Sequence, residues 1–333
     1  MKPYLALFRA GPSSLHPAAV ERLEQQNFDY ALSWFGDVPP NAPGAAFVHM
    51  QKGAKWPGLE KTLAHHWDTI SQYRYVWLPD DDLLCSPEQV SRMFLICEDL
   101  KLELAQPALT TDSYFSHLCT LQHQDFQVRF TNFVEIMAPI FSAEMLAKIY
   151  PTLAGNISGY GLDAVWPRMS SLGRVGIIDD TPVKHTRPVG GPNYLFNKTA
   201  GISPIHEDWI ESARHFVEHA ADFHINYGGL LQNGECVCLG STAHEVEAVL
   251  TQLMGSISRM QGVTATQMTR YLSNHLEFTR GGDARYPRGL LRVVMNHALK
   301  GTGLQFPHPA AAGPQPVSSA AAAQSLDPAV TAA

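Results

Sequence analysis

The sequence has no apolar run long enough to span a bilayer, no basic excess and no metal-finger cysteine pattern, and each lack removes a class of function. Lys and Arg number 24 against 31 Asp and Glu, for a net charge of −7, so nothing in the balance suits a nucleic-acid backbone or an anionic lipid surface. Cysteine is scarce: Cys85, Cys97, Cys119, Cys236 and Cys238 are odd in number, fit no zinc template, and read as reduced thiols. Met1 to Arg9 turns polar too early for a secretion signal and reads as a first strand. A soluble, cytoplasmic protein is therefore expected. No internal repeat is visible. Residues 306–333, mostly Ala, Pro, Ser and Gln, hold too little apolar surface to fold, so a disordered tail is expected there.

What the chain does have is enough for a sizeable core, with 45% hydrophobic residues over 333 positions. Strand-like runs at Tyr4–Phe8, Phe28–Phe35, Phe47–Met50 and Tyr73–Leu78 are separated by helical runs at Pro17–Gln26 and Gly58–Tyr73. A helix from Pro87 to Leu100, a strand at Glu103–Leu109, strand-rich sequence from Gln127 to Ile140, helices at Ala143–Tyr150 and Ala164–Ser171, and a strand at Val175–Asp179 follow. This rhythm predicts an α/β sheet with ligands at the carboxyl ends of its strands. Beyond residue 200 the pattern turns helical, at Glu207–Phe223, Ala243–Met260 and Thr264–Phe278, with one strand candidate at Glu235–Leu239. The expected division is a catalytic domain over 1–200, a helical region over 201–305 and the tail.

The most informative stretch is Tyr73-Arg74-Tyr75-Val76-Trp77-Leu78-Pro79-Asp80-Asp81-Asp82-Leu83, a β-type apolar run ending in three carboxylates. Three adjacent acids cannot all be buried unpaired. A bound Mg²⁺ or Mn²⁺ bridging to substrate phosphates resolves the problem, and so does a plain role at the start of the helix near Ser86-Pro87-Glu88. Glu135, Asp163 and His185 each sit near a strand end or glycine-rich turn of the same half. Glu135 lies in an apolar run and needs a partner or a shifted pKa. Asp163, after Gly159-Tyr160-Gly161, is either a helix cap or a general base. His185 is either a metal ligand or an ordinary hydrogen-bonded histidine.

Leu102–Leu109, Phe133–Ser142, Gly159–Asp163, and Val175–Asp179 followed by His185 resemble the domain of unknown function 707 family of plants and bacteria. That family's Trp-Asp-Glu-Asp-Leu block is matched by Pro79-Asp80-Asp81-Asp82-Leu83, with Pro in place of Trp and Asp81 in place of Glu. Lys55-Trp56 matches an upstream Lys-Trp pair. The match runs in constant order over residues 1–191 and leaves the helical region outside.

The family looks like a branch of the GT-A nucleotide-sugar glycosyltransferases, so the resemblance implies a Rossmann-like mixed sheet flanked by helices. It places Asp80 and Asp82 at the Asp-x-Asp motif, the metal shell on Asp80, Asp82 and His185, and the acceptor-activating base of an inverting hexosyltransferase on Asp163. Glu135 is a second catalytic candidate. Asp80 and Asp81, with Arg9, Lys52 or Lys55 on the diphosphate and Asp37 on the nucleoside, would hold a nucleotide-sugar donor. The acceptor would be a carbohydrate or other hydroxyl compound, and the cofactor Mn²⁺ or Mg²⁺.

Two other readings compete. His215-Phe216-Val217-Glu218-His219 spells an inverted zinc-peptidase pattern, with two imidazoles on one helical face and Glu218 as base. A binding protein that keeps the sheet without the chemistry is the other, which the intact Asp80, Asp82, Asp163 and His185 argue against.

Overall fold

A computed structural model describes residues 1–188, 204–214, 224–239, 243–257, 260, 262–279, 296–297 and 300–302. Its strands are β1 (Tyr4–Ala10), β2 (Phe28–Trp34), β3 (Val48–Met50), β4 (Tyr75–Trp77), β5 (Leu83–Leu84), β6 (Leu104–Leu109), β7 (Phe126–Thr131), β8 (Ile140–Ser142), β9 (Val175–His185), β10 (Asn226–Leu231) and β11 (Cys236–Cys238). The helices are α1 (His16–Ala19), α2 (Lys55–Ile70), α3 (Pro87–Asp99), α4 (Ala143–Ile149), α5 (Leu162–Met169), α6 (Pro204–Arg214), α7 (Ala243–Ile257) and α8 (Ala265–Thr279). The strands form one sheet in the order β11-β10-β7-β9-β6-β8-β4-β1-β2-β3, with β5 set against the far half of β9. β1 to β4 run parallel, β8 runs against both β4 and β6, and β7 runs against β9 and β10. This is the mixed α/β sheet flanked by helices that the strand–helix rhythm predicts. Among the described residues no helix is long and apolar enough to cross a membrane.

β1 shows why the sheet is covered on both faces. Every one of its residues is buried, and neighbours point to opposite sides. Tyr4, Ala6 and Phe8 join Tyr75, Trp77, Val90, Phe94 and Cys97 in one core. Leu5 and Leu7 join Trp56, Leu59, Leu63, Leu146, Val165 and Trp166 in the other. α3 thus packs on one face, and α2, α4 and α5 on the opposite one. α3 starts where Pro87 indicates, because Ser86 and Gln89 close a reciprocal capping box.

Several elements depart from the expected bounds. The helix expected over Pro17–Gln26 is only α1 plus a 3₁₀ turn at Leu23–Gln25, interrupted where Arg22 takes a left-handed φ of 49°. The strand-rich stretch from Gln127 stops at Thr131; residues 132–139 leave the ladder, and Asn132 Oδ1 and Thr131 Oγ1 bond the backbone of Ile225 instead. β9 runs on to His185, well past Asp179.

β10 was not legible at all, since Gly228-Gly229 reads as a strand breaker. The packing requires those glycines: a Cβ on Gly229 would lie 2.5 Å from the Phe126 ring, and one on Gly228 would lie 2.6 Å from the Val237 carbonyl. β10 and β11 so extend the sheet beyond β7. The tail at 306–333 lies outside the described residues.

Candidate active site

The acids gather because three separate segments are laced to the carboxyl end of β4. Leu78 N and Asp80 N donate to Pro139 O and Met137 O, at 2.9 and 2.8 Å, which carries the β4–β8 ladder forward and brings Glu135 alongside. On the other side the end of β9 pairs antiparallel with β5, Leu83 opposite His185. Thr186 N and Oγ1 both donate to Asp82 O. Asp80, Asp81, Asp82, Glu135 and His185 are thereby held together by backbone hydrogen bonds over a chain separation of about a hundred residues.

Each aspartate of the triplet meets a different basic side chain. Lys55 Nζ lies 2.6 Å from Asp80 Oδ1 and donates to Ile136 O and Met137 O at 2.7 and 3.0 Å. An ammonium has three N–H groups, so Lys55 has none over for a phosphate. Its pKa is lowered by burial, which the Asp80 carboxylate opposes. Arg187 Nη1 reaches Asp81 Oδ1 at 3.0 Å. His185 Nε2 faces Asp82 Oδ2 at 3.3 Å.

His185 Nδ1 sits 2.7 Å from Tyr114 O, and a carbonyl only accepts, so Nδ1 carries a proton and Nε2 is left to face the acid. Burial works against charge on this imidazole, but the bonds to Asp82 and Tyr114 outweigh it and its pKa is raised. Asp82 Oδ1 is buried without a hydrogen-bond partner, and so is Glu135 Oε2.

Two further acids have raised pKa values. Burial, reinforced by the charges of Asp163 and Asp80 and opposed by those of His185 and Lys55, pushes Glu135 up to about 8. Its backbone is pinned by Gln106, whose Oε1 accepts Glu135 N at 2.6 Å. Asp163 rises to about 7, through burial and then the charge of Asp208, while the backbone amides at the start of α5 work the other way.

The turn before Asp163 is clamped from α6. The Glu207 carboxylate accepts Ile157 N and Ser158 N at 2.9 and 2.8 Å, together with the Ser158 hydroxyl. Gly159 has a φ of 89°, and a Cβ there would lie 2.2 Å from Trp56 Nε1, so the turn passes directly over α2.

Of the residues singled out from sequence, Asp80, Asp81, Asp82, Glu135, His185 and Lys55 are brought to the end of β4, and Asp163 opens α5 near enough for its charge to raise Glu135. The others are engaged elsewhere. Arg9 is buried and donates to Ser33 O, Ser33 Oγ, Gln51 O and Gly53 O, which ties β1 to the loop before α2. Lys52 and Asp37 form an exposed ion pair with each other. Lys55 is thus not poised for a diphosphate, because its three donors are all taken.

Sequence reasoning passed over Gln106, Arg187, Glu207 and Asp208. Only Gln106 carried a signal, as a polar residue inside an apolar strand. His215, Glu218 and His219 lie outside the described residues.

Asp82 and His185 offer a two-donor pair and not a closed metal shell. Among the described residues no three His, Cys, Asp or Glu side chains are grouped to hold a metal. Asp80 is turned to Lys55, so the expected shell of Asp80, Asp82 and His185 reduces to two protein donors. The unpartnered Asp82 Oδ1 and an imidazole anchored through its far nitrogen are what such a pair requires. Mg²⁺ and Mn²⁺ bind through one or two carboxylates when substrate phosphates fill the remaining positions.

The raised acids make stability depend on pH. Glu135, at about 8, and Asp163, at about 7, keep protons that the unfolded chain has lost, and the raised His185 acts in the same direction. Stability therefore falls as pH rises toward the folded values. Buried His117 and His275, both near 4, and His224, also lowered, act oppositely, chiefly below their ordinary 6.5, so the effect of the acids is read between 6.5 and about 8 by comparison with a variant. Without divalent ions, the urea unfolding free energy should drop by about 1 kcal/mol per pH unit across this window. Glu135→Gln should flatten the slope, and an equally steep slope in that variant would refute the assignment.

The fold and site define a mixed-sheet α/β protein with a carboxylate- and imidazole-lined centre at its strand ends. No protein-family profile matches the chain, and no curated protein does. Among solved structures, residues 1–349 of Staphylococcus aureus TarS align over 91% of this chain and 88% of that one, at 10% identity and a TM-score of 0.44. The same TarS fragment in complex with UDP-GlcNAc aligns over 91% and 88%, at 9% identity and a TM-score of 0.42. The longer TarS structure aligns over 91% and 53%, at 9% identity and 0.41. At that level of likeness, a functional reading has to come from this chain's own side chains.

Proposed function

We propose that this protein is a metal-dependent glycosyltransferase of GT-A type, moving a sugar from a nucleotide-sugar donor to an acceptor hydroxyl with inversion. The observation that carries the reading is the meeting of Asp82 and His185, 3.3 Å apart, with the buried Glu135 nearby and the partly exposed Asp163 close enough to act on it, both acids having raised pKa values. A site with an acid–imidazole pair for a cation and a separate, partly protonated acid pair divides naturally into leaving-group and acceptor sides.

Asp82 and His185 would hold Mn²⁺ or Mg²⁺, which supplies neutralisation of the charge growing on the nucleoside diphosphate leaving group. Lys55 keeps Asp80 and the 136–137 backbone in place around that position. Asp163 takes the proton of the attacking hydroxyl, and a pKa near 7 suits a base at neutral pH. Glu135, higher at about 8, stays mostly protonated and spares Asp163 a second negative neighbour. The acceptor oxygen attacks the anomeric carbon from the face opposite the diphosphate, the glycosidic C–O bond breaks, and the electron pair leaves with the diphosphate.

Asp82→Asn tests this most directly. In wild-type protein a nucleoside diphosphate from a UDP, GDP, CDP and ADP panel should raise the melting temperature only when Mn²⁺ is present. In Asp82→Asn that divalent-dependent rise should vanish while the unliganded melting temperature holds. Wild-type protein that ignores the whole panel would remove the transferase reading.

A further inference from the structure

The cations expected to receive the donor's diphosphate are held in other places: Arg9 is buried against Ser33 and the Gln51 and Gly53 carbonyls with Nε alone unpartnered, Lys52 forms an exposed pair with Asp37, and Lys55 is filled by Asp80 and two carbonyls. We propose that Arg187 is the residue that grips the diphosphate, a role resting on the transferase reading above. It is placed by strand register, since pairing Leu83 with His185 in an antiparallel ladder sets Asp81 opposite Arg187. Its guanidinium spans two segments, Nη1 to Asp81 Oδ1 at 3.0 Å and Nη2 to Ser13 O at 2.6 Å.

A guanidinium carries five N–H donors, so these bonds leave others over. Its side chain is 39% exposed, against 12% for Lys55. Among the described residues it is the cation at the acid cluster with both donors and access to spare.

Chemistry favours the assignment. A planar guanidinium fork matches phosphate oxygens in a way an ammonium does not. Asp81 holds the fork on one edge, beside the Asp82–His185 pair, and the other edge stays available to an anion sharing that cation. The 3.0 Å ion pair with Asp81 and the bond to Ser13 O orient the group. No bond forms or breaks at Arg187; it binds and orients the leaving group.

The test uses the full chain with saturating Mn²⁺ and calorimetric titration of UDP, GDP, CDP and ADP and of the matching monophosphates. For whichever diphosphate binds best, Arg187→Gln should weaken the diphosphate roughly tenfold or more and the monophosphate far less, so that preference for the second phosphate collapses. Arg187→Lys, keeping charge without the fork, should fall between. Unchanged diphosphate affinity in Arg187→Gln overturns the proposal and leaves the transferase reading standing. Equal losses for mono- and diphosphate, with a lowered melting temperature, reduce Arg187 to a clamp between Asp81 and Ser13 and also overturn it. Failure of wild-type protein to bind any member of the panel removes the transferase reading, and this assignment goes with it.

Discussion

Asp163→Asn is expected to lower turnover by roughly 10²–10⁴-fold, the usual contribution of a positioned base, while leaving nucleoside diphosphate affinity unchanged. The expectation rests on where Asp163 sits. It opens α5 after a turn that Glu207 and Trp56 hold from two sides, so an isosteric amide should not disturb the backbone. The amide cannot take a proton, so the loss should appear in kcat and kcat/KM alike. The pH profile adds a second readout. A base must be ionised to act, so kcat/KM in wild-type protein should climb as pH rises through about 7, the value that burial and Asp208 give Asp163. Asp208→Asn removes a negative neighbour and should move that limb to lower pH. Transfer, or donor hydrolysis with water as acceptor, can be followed by release of nucleoside diphosphate. Full activity in Asp163→Asn would sink the assignment.

The largest effect on stability should come from a different place, the Arg129–Asp179 pair on β7 and β9. Both side chains are 0% exposed, and the contact is bidentate, Nε to Oδ2 at 2.8 Å and Nη2 to Oδ1 at 2.9 Å. Arg129 also donates to Cys119 O and Leu121 O, each at 2.7 Å, and Asp179 Oδ1 accepts His123 N at 2.8 Å. The pair therefore fastens the 118–123 loop to the sheet. Asp179→Ala leaves a buried guanidinium uncompensated, which costs roughly 3–5 kcal/mol. Against a typical total of about 5–15 kcal/mol this is a large fraction. Urea unfolding measures it, and a midpoint unchanged from wild type would show that the loop does not depend on the pair.

The core strands were legible because their patterns are local. Tyr4–Phe8, Phe28–Phe35 and Val175–Asp179 announce themselves by composition, and the helix at Pro87 by its cap. β10 was hidden, since its glycines are there for close approach to Phe126 and Val237, which only the neighbouring strands create. The acid strand, Glu135, Asp163 and His185 stood out because charged or titratable groups beside apolar runs or glycine turns demand an account. What each does was not readable. Lys55 looked like a phosphate ligand, yet the β4–β8 extension places two carbonyls and Asp80 around its ammonium. Arg187, Glu207 and Asp208 carried no local signal of the contacts they make.

The chain's own order of residues determined that a buried α/β sheet forms and that acids collect at the ends of its strands, since burial of alternating apolar side chains and the cost of unpaired carboxylates act wherever those residues fall. Which cation meets which acid was decided only in three dimensions. Strand register sets those pairings, and a shift of one position between Leu83 and His185 would send Arg187 and the imidazole to the other face of the ladder.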